Sequence, residues 1–188
     1  MTEASLATAQ DAITQARVVL ETIGAHLAKR VAVNGRIDTT RLEQVQPEAF
    51  QVARHLAQTT AAEAMLDWAR SHGSHEQALT NFYCGMVCAD LARWVRFNEP
   101  QLGLDVAGFD GIDSQFITNA LATDTISALG AAIIDRDGQP AGNYGHSEMH
   151  QMVQQQFARF SDEKVAPLAE HIHCKDQLIP EDLLQGMG

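Results

Sequence analysis

The residues best suited to chemistry crowd together near the end of the chain, where Glu170, His171, His173 and Cys174 follow one another closely. Glu170-x-x-His173 has the spacing found in carboxylate-bridged di-iron bundles, where a Glu and a His one turn later project from the same helix face. Such a centre needs two of these pairs and two further inward glutamates, and no other histidine of this chain has a Glu three residues before it. The four residues therefore read as a solvated helix end, with the imidazoles facing the negative end of the helix dipole. His146 and His150, with Glu148 between them, could hold zinc on one helix face. The HExxH arrangement, however, sets its Glu directly after the first His, and a surface helix start accounts for these three.

Cys84 and Cys88 could clamp a soft metal or form a redox pair. Thioredoxin-type chemistry uses two intervening residues at a helix start, whereas here three intervene, amid Phe82, Tyr83, Met86 and Val87. Buried small hydrophobes are the better reading. Lys29, Arg30, Arg36 and Arg41 form the one local concentration of positive charge, fit to meet a phosphate or an acidic partner, but Asp38 and Glu43 are interleaved and the stretch reads as a solvated loop. No GxGxxG, GxxxxGK or GxSxG pattern occurs. No residue is assigned a catalytic, cofactor-binding or metal-binding role.

Positioning elements come from composition and periodicity. A chain of 188 residues suits one domain, or one domain and part of another. Ala, Leu, Gln and Glu outnumber β-branched residues, which favours helices, and the 45% hydrophobic fraction can build a core. The 24 acidic residues against 13 basic give a net charge of -11, which argues against nucleic acid or an anionic membrane as a partner and against this chain alone gripping the polyanion coenzyme A. Three cysteines make no even disulfide framework, so reduced thiols in the cytoplasm are expected. The opening MTEASLATAQDAITQ lacks the features of a secretory or transit signal, and no run is expected to reach the roughly 18 apolar residues of a membrane span.

Ile13, Ala16, Leu20, Ile23 and Leu27, spaced three, four, three and four, predict a first helix over about 3–33 with a bundle seam, ended by Asn34-Gly35. Asp38-Thr39-Thr40 can cap a short turn in the loop that follows. Pro47 opens a second helix to about Ser71 through Val52, Leu56, Met65, Leu66 and Trp68, whose small, polar middle suits close packing. Ser74 and Gln77 form a capping-box pattern before a third, most apolar helix over about 75–98, with Leu79, Phe82, Tyr83, Met86, Val87, Leu91, Trp94 and Val95 on a broad face. Glu99-Pro100 is expected to stop it. Asp113 or Ser114 caps a fourth helix to about Asp135, with Ile117, Leu121, Ile126, Leu129 and Ile133 inward. The turn formers from Asp137 to Gly145 mark the main break.

Beyond that break, Met149, Val153, Phe157 and Phe160 are spaced four, four and three, and Val165, Leu168 and Ile172 follow at five, three and four. Pro167 lies inside this long amphipathic helix and predicts a bend rather than a stop. Phe157, Glu163, Val165-Ala166-Pro167-Leu168-Ala169, Asp176, Pro180, Leu183-Leu184 and the closing glycines at 186 and 188 stand in the order of the first helical hairpin of acyl-CoA dehydrogenases, which this stretch of about 30 residues resembles. The long region before it is similar to the layout of a subgroup of that family with an N-terminal extension.

The periodicities and short connections predict an all-α chain, an antiparallel bundle of four long helices (1–145) followed by a hairpin (146–188); the resemblance makes the bundle an extension and the hairpin the beginning of the dehydrogenase N-terminal α domain. It further implies a parent enzyme with FAD, an acyl-CoA substrate, electron-transfer flavoprotein as acceptor, and homo-oligomeric assembly. In that family the flavin is held by a central β domain and a C-terminal helical domain, and the glutamate base sits in the latter. This chain by itself is therefore expected to bind no FAD and to be inactive, with a structural or interface role. A stand-alone helical interaction module is the other reading, and a ferritin-like metal bundle a third.

Overall fold

A computed structural model describes residues 3–104, 112–137 and 147–186, and the chain divides into two compact units, Met1–Gly142 and Asn143–Gly188. The described residues are helical apart from one short hairpin, so the fold is all-α.

In the first unit, α1 (Glu3–Val31), α3 (Gln46–Ala69) and α4 (Ser74–Leu102) form the core. The α1 seam is buried as its spacing requires, with Ile13, Ala16, Leu20 and Ile23 fully enclosed and Leu27 nearly so. Direction follows from polar contacts between helices. Arg17 at the middle of α1 grips Glu63 in the second half of α3 with two hydrogen bonds of 2.5 and 2.6 Å, its Nη2 also donates to Thr60, and Arg70 at the end of α3 donates to Gln10 Oε1 nearer the start of α1. Thr80 at the start of α4 donates to the Met65 carbonyl on α3. Arg30 at the end of α1 donates to the Gln101 carbonyl at the end of α4. Thus α3 runs antiparallel to both neighbours, and α1 and α4 run parallel.

The first helix stops two residues earlier than its pattern predicts. Ala32–Val33 (β1) and Arg36–Ile37 (β2) pair antiparallel, and Asn34-Gly35 is their turn rather than a helix cap. Both turn residues have positive φ, 51° and 75°, the geometry that a two-residue hairpin connection demands. Asp38 then caps α2 (Thr39–Glu43) by accepting from the Arg41 N–H, as its sequence predicts.

The buried stripe of α3 is Val52, His55, Thr59, Ala62, Leu66 and Ala69, a three-four repeat in which two members are polar. The Thr59 hydroxyl donates to the His55 carbonyl, removing its own cost of burial. The expected capping box at the start of α4 does not form. Gly73 is the N-cap, so Ser74 lies inside the helix, and the Gln77 side chain instead donates to the His72 carbonyl.

Helix α4 also continues through Pro100 to Leu102, against expectation. A proline this close to the end removes one backbone bond only, and Gly103, at φ 67° with the His26 ring packed against its Cα, closes the helix in the left-handed conformation. Its inner face is Glu76, Thr80, Cys84, Val87, Cys88, Leu91 and Val95, while Met86, expected in the core, is exposed. Trp68 and Trp94 are half-buried against the core.

The fourth helix is two helices, α5 (Ser114–Ala120) and α6 (Thr123–Ile134), because Ala122 is extended. Thr and Asn side chains around the break compete for backbone groups, and the Thr125 hydroxyl donates to the Asn119 carbonyl. Asp113 caps α5 through the Gln115 and Phe116 N–H groups. Phe116 and Leu129 are buried, but Ile126 and Ile133 are exposed, since the break turns α6 away from the predicted face.

Contrary to expectation, Ser114–Ile134 has the length and mean hydropathy, 1.4, of a membrane span. Broken in two, its longer piece of 12 residues extends about 18 Å, short of a hydrocarbon core of about 30 Å. The predicted break at 137–145 lies, beyond Asp137, outside the described residues.

In the second unit, α7 (Glu148–Phe160), a π turn (Ser161–Val165) and α8 (Ala166–Cys174) form one continuous helical run, and α9 (Glu181–Gly186) follows. Ser147 caps α7 by accepting from the His150 N–H.

Candidate functional site: an unmatched helix face and an aromatic groove

The second unit is organised by the proline. Pro167 has no N–H and its ring would press on the Glu163 carbonyl of a regular α-helix. The chain widens just before it, where Ala166 N–H donates to the Ser161 carbonyl five residues back. This widening also explains the five-residue step between Phe160 and Val165. At 3.6 residues per turn, five residues would rotate the apolar row about 140° off line, and a turn that absorbs one extra residue brings it back to about 40°. The bend expected from the sequence is thus a π turn.

The helical run ends in a left-handed cap at Asp176, φ 48°. Gln177 N–H donates to Ile172 O and Asp176 N–H to His173 O, which is the Schellman arrangement with Asp in place of the usual Gly. The chain then turns so that α9 comes back to α7. Leu183 is buried, and a Cβ at Gly186 would lie 2.9 Å from Phe160 Cε2, so any larger residue there would have to displace the ring. A cleft of about 290 Å³ runs beside it, lined by Gln156, Phe157, Phe160 and Gly186.

One side of this hairpin remains open. Met149, Met152, Val153, Phe157 and Leu168 are exposed along it, Phe157 by 65%. Val165 and Ile172 are half-buried. An exposed apolar row of this length is suited to burial against another surface.

The first unit carries a groove of about 580 Å³ between the start of α3 and the end of α4, walled by Phe50 and Trp94 and floored by Gln46, Glu48, Gln51 and Asn98. Behind Trp94 lies His55, fully buried, its ring stacked on the indole with centroids 5.2 Å apart. Neither His55 nitrogen meets a partner in good hydrogen-bonding geometry, although the Gln58 side chain lies beside the ring. Burial, with Arg54 adding to it, pushes this imidazole below its ordinary range, and nearby Asp90 and Gln58 only partly oppose that.

The residues singled out by type and spacing are dispersed. Cys84 and Cys88 are fully buried on α4, and burial pushes both thiols up to about 12, so they are packing groups. Glu170, His171, His173 and Cys174 are exposed on the last turns of α8. His150 sits in the first turn of α7, and His146 lies outside the described residues. Lys29 and Arg30 end α1, while Arg36 and Arg41 lie on β2 and α2. No cluster of three or more metal-binding side chains occurs among the described residues. Sequence reasoning missed His55 and Glu48. The three-four repeat of α3, followed strictly, would have placed His55 inside.

This chain is distantly related to an acyl-CoA dehydrogenase. The relative is the (2S)-methylsuccinyl-CoA dehydrogenase of Cereibacter sphaeroides, 25% identical over 198 aligned residues that cover 97% of this chain and 36% of the relative. The chain therefore spans about a third of the length of the curated relative it matches. No family model matches the chain.

Proposed function

We propose that this chain is the N-terminal helical part of an FAD-dependent acyl-CoA dehydrogenase, with residues 1–145 as an added bundle and 146–188 as the start of the N-terminal α domain. The observation that carries this reading is the reach of the similarity, which runs over 97% of the chain, bundle and hairpin alike. The parent enzyme removes a proton α and a hydride β to the thioester, passes the hydride to flavin and on to electron-transfer flavoprotein, and leaves an α,β-unsaturated acyl-CoA. Its substrate is methylsuccinyl-CoA, as the relative's name suggests. The role of this chain is structural: the exposed face of α7 and α8 docks on the flavin-bearing body or at the subunit interface of a homo-oligomer. The three unpaired cysteines support a cytoplasmic enzyme.

The test is spectroscopic. The protein expressed from its full reading frame should purify with the absorbance bands of flavin, and anaerobic (2S)-methylsuccinyl-CoA should bleach them faster than a straight-chain acyl-CoA. A colourless protein that refuses added FAD sinks the proposal. The exposed hairpin face also suits a stand-alone helical interaction module, and that outcome would favour it.

A further inference from the structure

We propose that the groove between α3 and α4 is a binding site for an organic cation, a guanidinium or alkylammonium group. The argument does not depend on the dehydrogenase reading.

Two aromatic side chains, Phe50 and Trp94, wall the groove, and electron-rich ring faces attract cations that are weakly hydrated. Glu48 lines the same groove. Glu48 Oε2 is sealed from solvent and has no hydrogen-bond partner. Among the described ion pairs, none involves Glu48. A buried carboxylate oxygen without a donor is costly and points to a missing one.

The rest of the lining agrees in sign. Gln46, Gln51 and Asn98 offer neutral amides, and no Lys or Arg lines the groove. An anion would find no cation there. It would also find little help from the start of α3, where Pro47 removes one N–H and the Ala49 N–H is already bonded to the Val45 carbonyl. A purely apolar ligand would leave Glu48 unpaired. Behind the indole, burial lowers the affinity of the His55 imidazole for a proton, which disfavours an internal cation against the ring. The volume, about 580 Å³, suits a small molecule or a single basic side chain.

The experiment follows the Trp94 indole N–H by NMR, with Trp68 as internal reference, while the 188-residue chain is titrated with tetramethylammonium or N-acetyl-arginine amide. Both cations should shift the Trp94 signal saturably. Their neutral isosteres, tert-butanol and N-acetyl-citrulline amide, should not. Glu48→Gln, checked for retained signal dispersion, should weaken cation binding about tenfold or more, and Gln51→Glu, which adds a second carboxylate, should tighten it. A short arginine-containing peptide that binds at least about tenfold better than the amide would assign the cation to a polypeptide, and equal binding would assign it to a small molecule. Equal response to the neutral isosteres, no saturable response to either cation, or binding indifferent to both variants would overturn the site.

Discussion

A methyl group on Gly85 would sit 2.6 Å from the Cβ of Ala120, well inside carbon–carbon contact, because α5 lies directly on α4 at that point. Glycine inside a helix is normally a liability of about 0.5–1 kcal/mol relative to alanine. Here Gly85→Ala should reverse that sign and destabilise the bundle by about 1 kcal/mol or more, since neither backbone nor Ala120 can yield cheaply. Gly24→Ala and Gly130→Ala, with nothing within 4 Å of the added Cβ, should stabilise instead. Urea midpoints of the three variants would show whether the close approach is real.

His55 makes stability depend on pH in a known direction. Its folded imidazole resists protonation, while in the unfolded chain it titrates near 6.5. The contribution is therefore intact above that value and lost as pH falls below it, with a slope of at most about 1.4 kcal/mol per pH unit. Chemical unfolding at pH 8 and pH 5 should reveal the loss, and His55→Gln should flatten the difference. Unchanged pH dependence in the variant would exonerate this residue.

The three cysteines should react in two classes. Cys84 and Cys88 are buried, their thiols pushed up to about 12, whereas Cys174 is exposed. A disulfide reagent at neutral pH should therefore label one thiol quickly in the native protein and all three after denaturation. Two or more fast thiols in the folded state would contradict the burial of the α4 pair.

Phe157 and Leu183 belong to one hairpin but should respond differently. Phe157, 65% exposed, should tolerate Ser with a change in unfolding free energy below about 0.5 kcal/mol in this chain. Leu183, buried in α9, should cost about 2 kcal/mol or more when cut to Ala. If the chain belongs to the longer dehydrogenase proposed above, Phe157→Ser should lower the thermal midpoint of that protein, and insensitivity there would remove Phe157 from its interface.

Helix content and the α1 seam were legible because Ile13, Ala16, Leu20, Ile23 and Leu27 repeat strictly and nothing competes with that repeat. The perturbed turn in the second unit was legible for a different reason, because Pro167 inside a helical repeat cannot leave the backbone ladder regular. Where reading failed, a local group outvoted the average. Asn34-Gly35 served a turn rather than a cap because the residues beside it could pair. Pro100 did not stop α4 because Gly103 offered a better end three residues on. The break at Ala122 depends on Thr125 reaching the Asn119 carbonyl, a contact no periodicity encodes. The aromatic groove was invisible for a similar reason: Glu48, Phe50 and Trp94 meet only through the antiparallel pairing of α3 and α4.

The wide turn at Ser161–Val165 sets the reading frame of everything beyond it. Wind those same five residues as a regular α-turn and the greasy stripe would split into two short patches aimed about 100° further apart, so that no flat surface could touch Phe157 and Leu168 together. The width of that turn, more than the identity of its side chains, is what this part of the protein can least afford to change.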